Sequence, residues 1–189
     1  MATAKIIALA GSLRKNSFNQ AVITHAAQLA QQQGSEVEVI SLAELNLPMF
    51  DEDIEAQGVP SSAQQLKDKL RSADAILLAS PEYNGSITAV LKNAIDWASR
   101  TEAGATPAFR NKVVALFAAS PGGLGGLRGL NHVRDILSGI GALVLGDQLA
   151  IAGIHGFVND QGELTDSATS EKIAGLTSQL IDVTSKLKS

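Results

Sequence analysis

The sequence predicts a doubly wound α/β domain, with five parallel strands in the order 2-1-3-4-5 and helices on both faces. Three observations predict it. Short apolar runs alternate along the chain with longer amphipathic stretches. The runs begin near residues 4, 36, 73, 112 and 142, intervals of about 30 to 40 residues, which is the length of a strand–helix–strand unit. No repeat, linker or low-complexity tract interrupts them, so residues 1–189 are expected to form one domain.

Each element has its own signal. Ala4–Ala10 (AKIIALA), Ala73–Ala79 (ADAILLA) and Lys112–Ala119 (KVVALFAA) are near-continuously apolar, as strands covered on both faces must be. Glu36–Leu42 (EVEVISL) alternates instead, which fits a strand with one wetter face. Ala142–Ile151 is apolar but broken by Gly146 and Asp147, so a bend or bulge is expected there. The first helix spans Ser17–Gln33, with Phe18, Val22, Ala26, Leu29 and Ala30 on one stripe and Gly34 as its stop. Ser61–Ser72 follows Pro60 and carries Leu66 and Leu70. Thr88–Arg100 carries Leu91, Ile95 and Ala98, and Leu127–Ile140 repeats Leu130, Val133, Leu137 and Ile140. The last helix runs through Ile173, Leu176, Leu180, Val183 and Leu187 after Thr165-Asp166-Ser167, a cluster of capping residues.

Composition narrows the function. The 189 residues are 45% apolar and 18% charged, which excludes wholesale disorder. The net charge is −4, and no run of Lys and Arg offers a surface to nucleic acid or an anionic membrane. The absence of cysteine removes disulfides, thiolate metal sites, iron–sulfur clusters and a Cys nucleophile together. No apolar run approaches the roughly 18 residues that a membrane span needs. Ile6–Ala10 leads into Gly-Ser rather than a cleavage site, so a cytoplasmic protein is expected.

In such a sheet, ligands bind beyond the carboxyl ends of the strands where strand order reverses, here between strands one and three. The loops after strands one, three and four are the most unusual stretches in the chain. The first, Gly11-Ser12-Leu13-Arg14-Lys15-Asn16-Ser17-Phe18-Asn19, fits neither GxGxxG nor GxxxxGK[ST]. It nevertheless supplies two hydroxyls, two carboxamides, a guanidinium and the amides of a helix N-terminus, the groups a phosphate dianion needs. Ser12, Arg14, Ser17 and Asn19 are the candidates. The same residues also suit a plain capping turn, with Ser17 or Asn16 as cap and Arg14 solvated.

The second loop, Ser80-Pro81-Glu82-Tyr83-Asn84-Gly85-Ser86, holds the only Tyr and a carboxylate in a turn fixed by Pro and Gly. Its amides could bond the edge of a flat heterocycle, or it could be an ordinary turn capped by Ser86 or Thr88. The third, Ser120-Pro121-Gly122-Gly123-Leu124-Gly125-Gly126, has four glycines in five residues, which allow close backbone approach or loop motion. Three unusual loops converging on one cleft are a stronger signal than any one of them. His25, His132 and His155 stand apart without metal-binding spacing and are expected to be structural or exposed. Trp97 reads as core or interface. Arg128 and Arg134 read as surface or subunit contacts, with a nucleotide phosphate as the other possibility.

GSLRKNSFN, PEYNGS followed by LKNAIDW, and SPGGLGGLRG together resemble the NAD(P)H-dependent FMN reductases of flavodoxin-like fold, a family with quinone, azo-dye and chromate reductases. The resemblance spans residues 4 to 150. It implies that Ser12, Arg14, Ser17 and Asn19 hold the FMN phosphate. It implies that Pro81, Glu82, Tyr83, Asn84 and Gly85 line the isoalloxazine, and that Ser120, Gly122 and Gly123 close its pyrimidine edge. Pro121, directly after the serine, changes which amides can face the ring. The implied activity moves a hydride from NADPH or NADH through FMN to a small acceptor such as a quinone, flavin, azo compound or metal oxyanion. FMN carries that chemistry, so no protein nucleophile or dedicated base is expected. The family also implies a homodimer or homotetramer.

Two other functions compete. A flavodoxin-type electron carrier would bind FMN without reacting with NAD(P)H, but carriers need an acidic docking face and aromatics around the ring. Net charge −4, with five Phe, one Tyr and one Trp in the whole chain, argues against it. A non-redox module binding a phosphorylated metabolite would retain no flavin.

Overall fold

The computed structural model describes residues 3–188. Five strands, β1 (Lys5–Ala10), β2 (Glu36–Ile40), β3 (Ala75–Ala79), β4 (Val113–Ser120) and β5 (Leu143–Ala152), form one sheet in the order β2-β1-β3-β4-β5. Every pairing is parallel. The helices are α1 (Phe18–Gln32), α2 (Leu42–Leu45), α3 (Glu52–Gln57), α4 (Ser61–Ser72), α5 (Ala89–Ser99), α6 (Leu127–Gly139) and α7 (Ser167–Lys188).

The apolar runs explain the layering. Successive strand residues point to opposite faces, so Ile6, Ala8 and Ala10 enter one core while Ile7 and Leu9 enter the other. The same division holds along β3 and β4. The first core is roofed by α1 and α7 through Val22, Ile23, Ala26, Ile173 and Leu180. The second is roofed by α4, α5 and α6 through Leu66, Leu70, Leu91, Ile95, Leu130 and Val133. Trp97 is fully buried: its indole N–H donates to the Pro48 carbonyl at 2.8 Å and Phe50 meets its ring edge-on at 4.9 Å.

Several boundaries differ from the expectation. The second strand leaves the sheet at Ile40 rather than Leu42, because the Ser41 hydroxyl accepts from the Glu44 amide at 3.3 Å and starts α2. Asp51 caps α3, its carboxylate accepting from the Asp53 amide at 2.8 Å. Neither short helix was expected, nor was the 3-10 turn Ile154–Gly156. The irregularity expected at Gly146-Asp147 is present. Val114 pairs with Val144 but Leu116 pairs with Gln148, so β5 carries extra residues there. Arg134 is committed to this bulge, donating to the carbonyls of Leu145 at 2.6 Å and Gly146 at 3.3 Å.

One buried charge yields a stability prediction. Lys67 on α4 is 1% exposed, and its ammonium donates to the Glu102 carboxylate at 2.7 Å. Arg71 pairs with the same carboxylate. Lys67 first and Arg71 second hold the Glu102 carboxyl down at about 2. Glu102→Gln leaves the ammonium buried without its anion, and is expected to cost about 1–3 kcal/mol in urea unfolding, water at half-exposed Glu102 moderating the loss. The folded value lies below the ordinary 4.5, so the pair's contribution is complete above that pH and fades as pH falls toward 2. The variant therefore unfolds in acid with a shallower slope. Equal acid slopes in both proteins would remove this role from Glu102.

Candidate active site

The parallel register aligns the carboxyl ends of β1, β3 and β4 on one rim. The Gly11 amide donates to Ala79 at 2.9 Å and the Ser80 amide to Phe117 at 2.8 Å, so three loops leave the sheet side by side. Gly11 is required at its position. A Cβ there would lie 2.7 Å from Leu91 Cβ and 3.2 Å from Thr88 Oγ1. Thr88 caps α5 and donates its hydroxyl to the Gly11 carbonyl at 2.7 Å, fixing the start of the loop.

Ser17 is the N-cap of α1, its buried hydroxyl accepting from the Gln20 amide at 3.4 Å. The Arg14 guanidinium donates to the Asn16 carbonyl at 2.8 Å and lies 5.9 Å from the Phe18 ring centre. The Ser12 hydroxyl accepts from the Arg14 amide at 3.3 Å. The amides of Ser17, Phe18 and Asn19 find no acceptor among the described residues. They stand at the positive end of α1 as a row of free donors.

Asn19 also has a structural role. Its carboxamide donates one N–H to the Ala119 carbonyl at 2.9 Å and accepts from the Ala119 amide at 3.0 Å, while the residue still lines the smaller cavity. It ties the first turn of α1 to the end of β4, and so sets where the first and third loops stand relative to each other.

In the second loop, Tyr83 and Ser86 exchange backbone hydrogen bonds at 3.0 and 3.1 Å. Asn84 (φ 53°) and Gly85 (φ 78°) make the two-residue turn between them, the conformation for which Asn-Gly is favoured. Tyr83 projects outward, 56% exposed. Glu82 turns inward. One carboxylate oxygen accepts from the amides of Arg128 at 3.0 Å and Gly129 at 3.2 Å, and the other takes the Arg128 side chain at 2.7 Å. Burial pushes its carboxyl up, but the Arg128 guanidinium and the two helix amides outweigh it and hold Glu82 below the usual carboxylate range.

The third loop divides its glycines between two tasks. Gly125 (φ +61°) and Gly126 (φ +94°) are packing positions, where a Cβ would sit 2.7 Å from the Ile151 carbonyl carbon and 2.7 Å from Ala118 Cβ respectively. At Gly122 and Gly123 a Cβ would meet only the Ser120 hydroxyl at 3.5 Å and open space. Ser120 orders the loop entrance by accepting from the Gly122 amide at 3.1 Å.

Two adjoining cavities result. The smaller, of about 120 Å³, is lined by Ser12, Arg14, Ser17, Asn19, Pro81, Glu82, Tyr83 and Ser120, among others. The larger, of about 560 Å³, includes Glu82, Asn84, Gly85, Ser120, Gly122 and Gly123. The two share Glu82 and Ser120, and every residue that the resemblance assigns to FMN borders one of them. Sequence reasoning missed Phe18 and Ala119 in the smaller cavity and favoured a surface or subunit contact for Arg128 over a nucleotide phosphate, although it lines the larger. The histidines stay out of both: His25 bonds Ser170 at 2.7 Å and His132 bonds Ser86 at 2.9 Å. Among the described residues no group of side chains suits a metal ion.

The strand order and the polar cleft at the carboxyl ends of β1, β3 and β4 define a flavodoxin-like domain. The structure superposes on the flavoenzyme NAD(P)H:(acceptor) oxidoreductase FerB from Paracoccus denitrificans with a TM-score of 0.85, at 28% identity over 97% of this chain and 98% of that one. The family model for NADPH-dependent FMN reductase matches residues 4–156, and the chain belongs to that family. It is 35% identical over 170 residues to an NAD(P)H-dependent FMN reductase of Pseudomonas aeruginosa, covering 89% of both chains. It is 34% identical over 175 residues to a quinone reductase of Escherichia coli K12, covering 90% of both.

Proposed function

We propose that this protein is an FMN-dependent NAD(P)H oxidoreductase that passes reducing equivalents to a small acceptor such as a quinone. The observation that carries the reading is the set of amides of Ser17, Phe18 and Asn19 without acceptors among the described residues, beside Ser12 and Arg14 in a cavity that the two other loops also line. The donor set fits a phosphate dianion, and the shelf at Gly122 and Gly123 leaves space for a flat ring.

Ser12, Ser17 and Arg14 would hold the phosphate of FMN, with Asn19 positioning the helix that presents it. Pro81 to Gly85 would line the ring on one side, their turn kept rigid by the Tyr83–Ser86 pairing. Ser120, Gly122 and Gly123 would face its polar edge with backbone groups, which can stabilise negative charge developing there. When bound, FMN supplies the hydride chemistry, accepting from NADPH or NADH and reducing the acceptor. Ionised Glu82 does not supply a proton; it braces α6 against the second loop.

The phosphate assignment is tested with riboflavin, which has the same ring and no phosphate. Fluorescence titration is expected to show riboflavin binding roughly 100-fold or more weaker than FMN, because several charge-assisted bonds are absent. Equal affinity would remove the loop from the reading. A second test concerns Tyr83, whose exposed ring stands at the mouth of the smaller cavity. Tyr83→Ala is expected to leave stability within about 0.5 kcal/mol while changing KM for the acceptor. A variant that unfolds yet turns over normally per folded molecule would make Tyr83 structural.

The exposed Leu13 and Met49 border an apolar cavity of about 190 Å³ with Leu42, Leu47 and Val90, which supports assembly as a homodimer or homotetramer. Light scattering coupled to gel filtration tests it, a monomeric mass being the contrary result. No described helix is long and apolar enough to cross a membrane; with donor and acceptor both small molecules, the proposed place of work is the cytoplasm.

A further inference from the structure

Arg128 is the one cation among the described residues that line the larger cavity. Its guanidinium is held on one edge only, Nε at 2.7 Å and Nη2 at 2.5 Å from the same Glu82 oxygen. The Glu82 side chain is 8% exposed, whereas that of Arg128 remains 63% exposed despite the pair. The plane rests beside Gly85, where an added Cβ would lie 4.0 Å from Cζ and Nε. The outer edge, Nη1 and the second N–H of Nη2, has no acceptor among the described residues. Because the Arg128 and Gly129 amides also donate to Glu82, that carboxylate shares its charge with the start of α6. The result is a pre-set guanidinium fork with free donors on a cavity wall, the geometry that planar recognition of phosphate uses.

We propose that Arg128 receives a phosphate group of the nicotinamide dinucleotide, making it a determinant of donor affinity. This rests on the reading above that the protein takes FMN and NAD(P)H. Two phosphates could supply the chemistry: the 2′-phosphate that only NADPH carries, and the pyrophosphate common to both donors.

The experiment uses FMN-loaded wild type, Arg128→Gln and Arg128→Lys, titrated calorimetrically with NADP⁺ and NAD⁺, with FMN affinity and KM for each reduced donor measured alongside. Arg128→Gln is expected to weaken NADP⁺ by about 10- to 100-fold, as loss of a charge-assisted fork should. Arg128→Lys, which keeps the charge without the fork, is expected to recover only part of it. A loss confined to NADP⁺ assigns the 2′-phosphate, and an equal loss for NAD⁺ assigns the pyrophosphate; both support the proposal. Unchanged affinity for both nucleotides overturns it. So does a fall in FMN affinity alone, which would make Arg128 merely a brace for Glu82. A wild-type protein that neither retains FMN nor is reduced by NAD(P)H would instead overturn the reading beneath.

Discussion

Gly125→Ala is expected to destabilise the protein by roughly 2–5 kcal/mol, the largest effect of any single methyl group considered. Two costs add. The residue sits at φ +61°, a left-handed conformation that costs a side-chain-bearing residue about 1–2 kcal/mol. The new Cβ would also lie 2.7 to 2.8 Å from three backbone atoms of Ala150, Ile151 and Ala152. Those atoms belong to a paired strand and cannot swing aside as the tip of a flexible side chain would. Overpacking of this kind costs about 1–3 kcal/mol. Thermal unfolding followed by circular dichroism should fall by about 5–15 °C. Gly123→Ala is the internal contrast, since its Cβ would meet nothing within 4 Å. It should leave the melting temperature alone and lower FMN affinity, because open space in the protein is where the ring is proposed to lie. A Gly125→Ala protein as stable as wild type would show that the loop does not dock on β5 as described.

Arg14→Ala is expected to weaken FMN about 10- to 100-fold, equivalent to roughly 1.5–3 kcal/mol for a charge-assisted bond. Arg14 is exposed, with one donor engaged by the Asn16 carbonyl at 2.8 Å. Its removal therefore costs the fold little, and the change in binding reports on the ligand directly. The contact with Phe18, at 5.9 Å and in water, contributes only a small part. Fluorescence quenching of FMN on titration with protein measures the shift. Unchanged affinity would withdraw Arg14 from the phosphate, whatever the remaining residues do.

The architecture was legible because burial on both faces of a parallel strand leaves an unmistakable trace. AKIIALA, ADAILLA and KVVALFAA supply Ile6, Ile76, Leu77, Val113 and Phe117, and all are buried in the sheet. The bulge at Gly146-Asp147 was legible for the opposite reason, as a polar break in an apolar run. α2 and α3 escaped because 4 and 6 residues are too short to show a helical period. Their caps, Ser41 and Asp51, were in plain view and are the signal that could have found them.

The site divides along a similar line. Loop composition revealed which residues gather at the rim, since three atypical loops follow three strands whose ends the fold brings together. Pairwise commitments across the fold were not legible. Asn19 and Ala119 are 100 residues apart, and only their meeting shows that the carboxamide ties α1 to β4. Glu82 and Arg128 are 46 residues apart, so neither sequence neighbourhood hints at the pair. The glycines illustrate the limit best: GGLGG announces close approach, yet which glycine approaches the protein and which faces the cavity depends on where β5 lies. The Asn84-Gly85 turn, by contrast, carries its conformation in the dipeptide itself.

The most direct test of the central claim is an anaerobic mix of FMN-loaded protein with NADPH, and separately with NADH, followed by the yellow flavin absorbance. The account predicts rapid bleaching by at least one donor and return of the colour when a quinone is added. A protein that holds FMN and stays yellow with both donors would contradict it, leaving an electron carrier in its place.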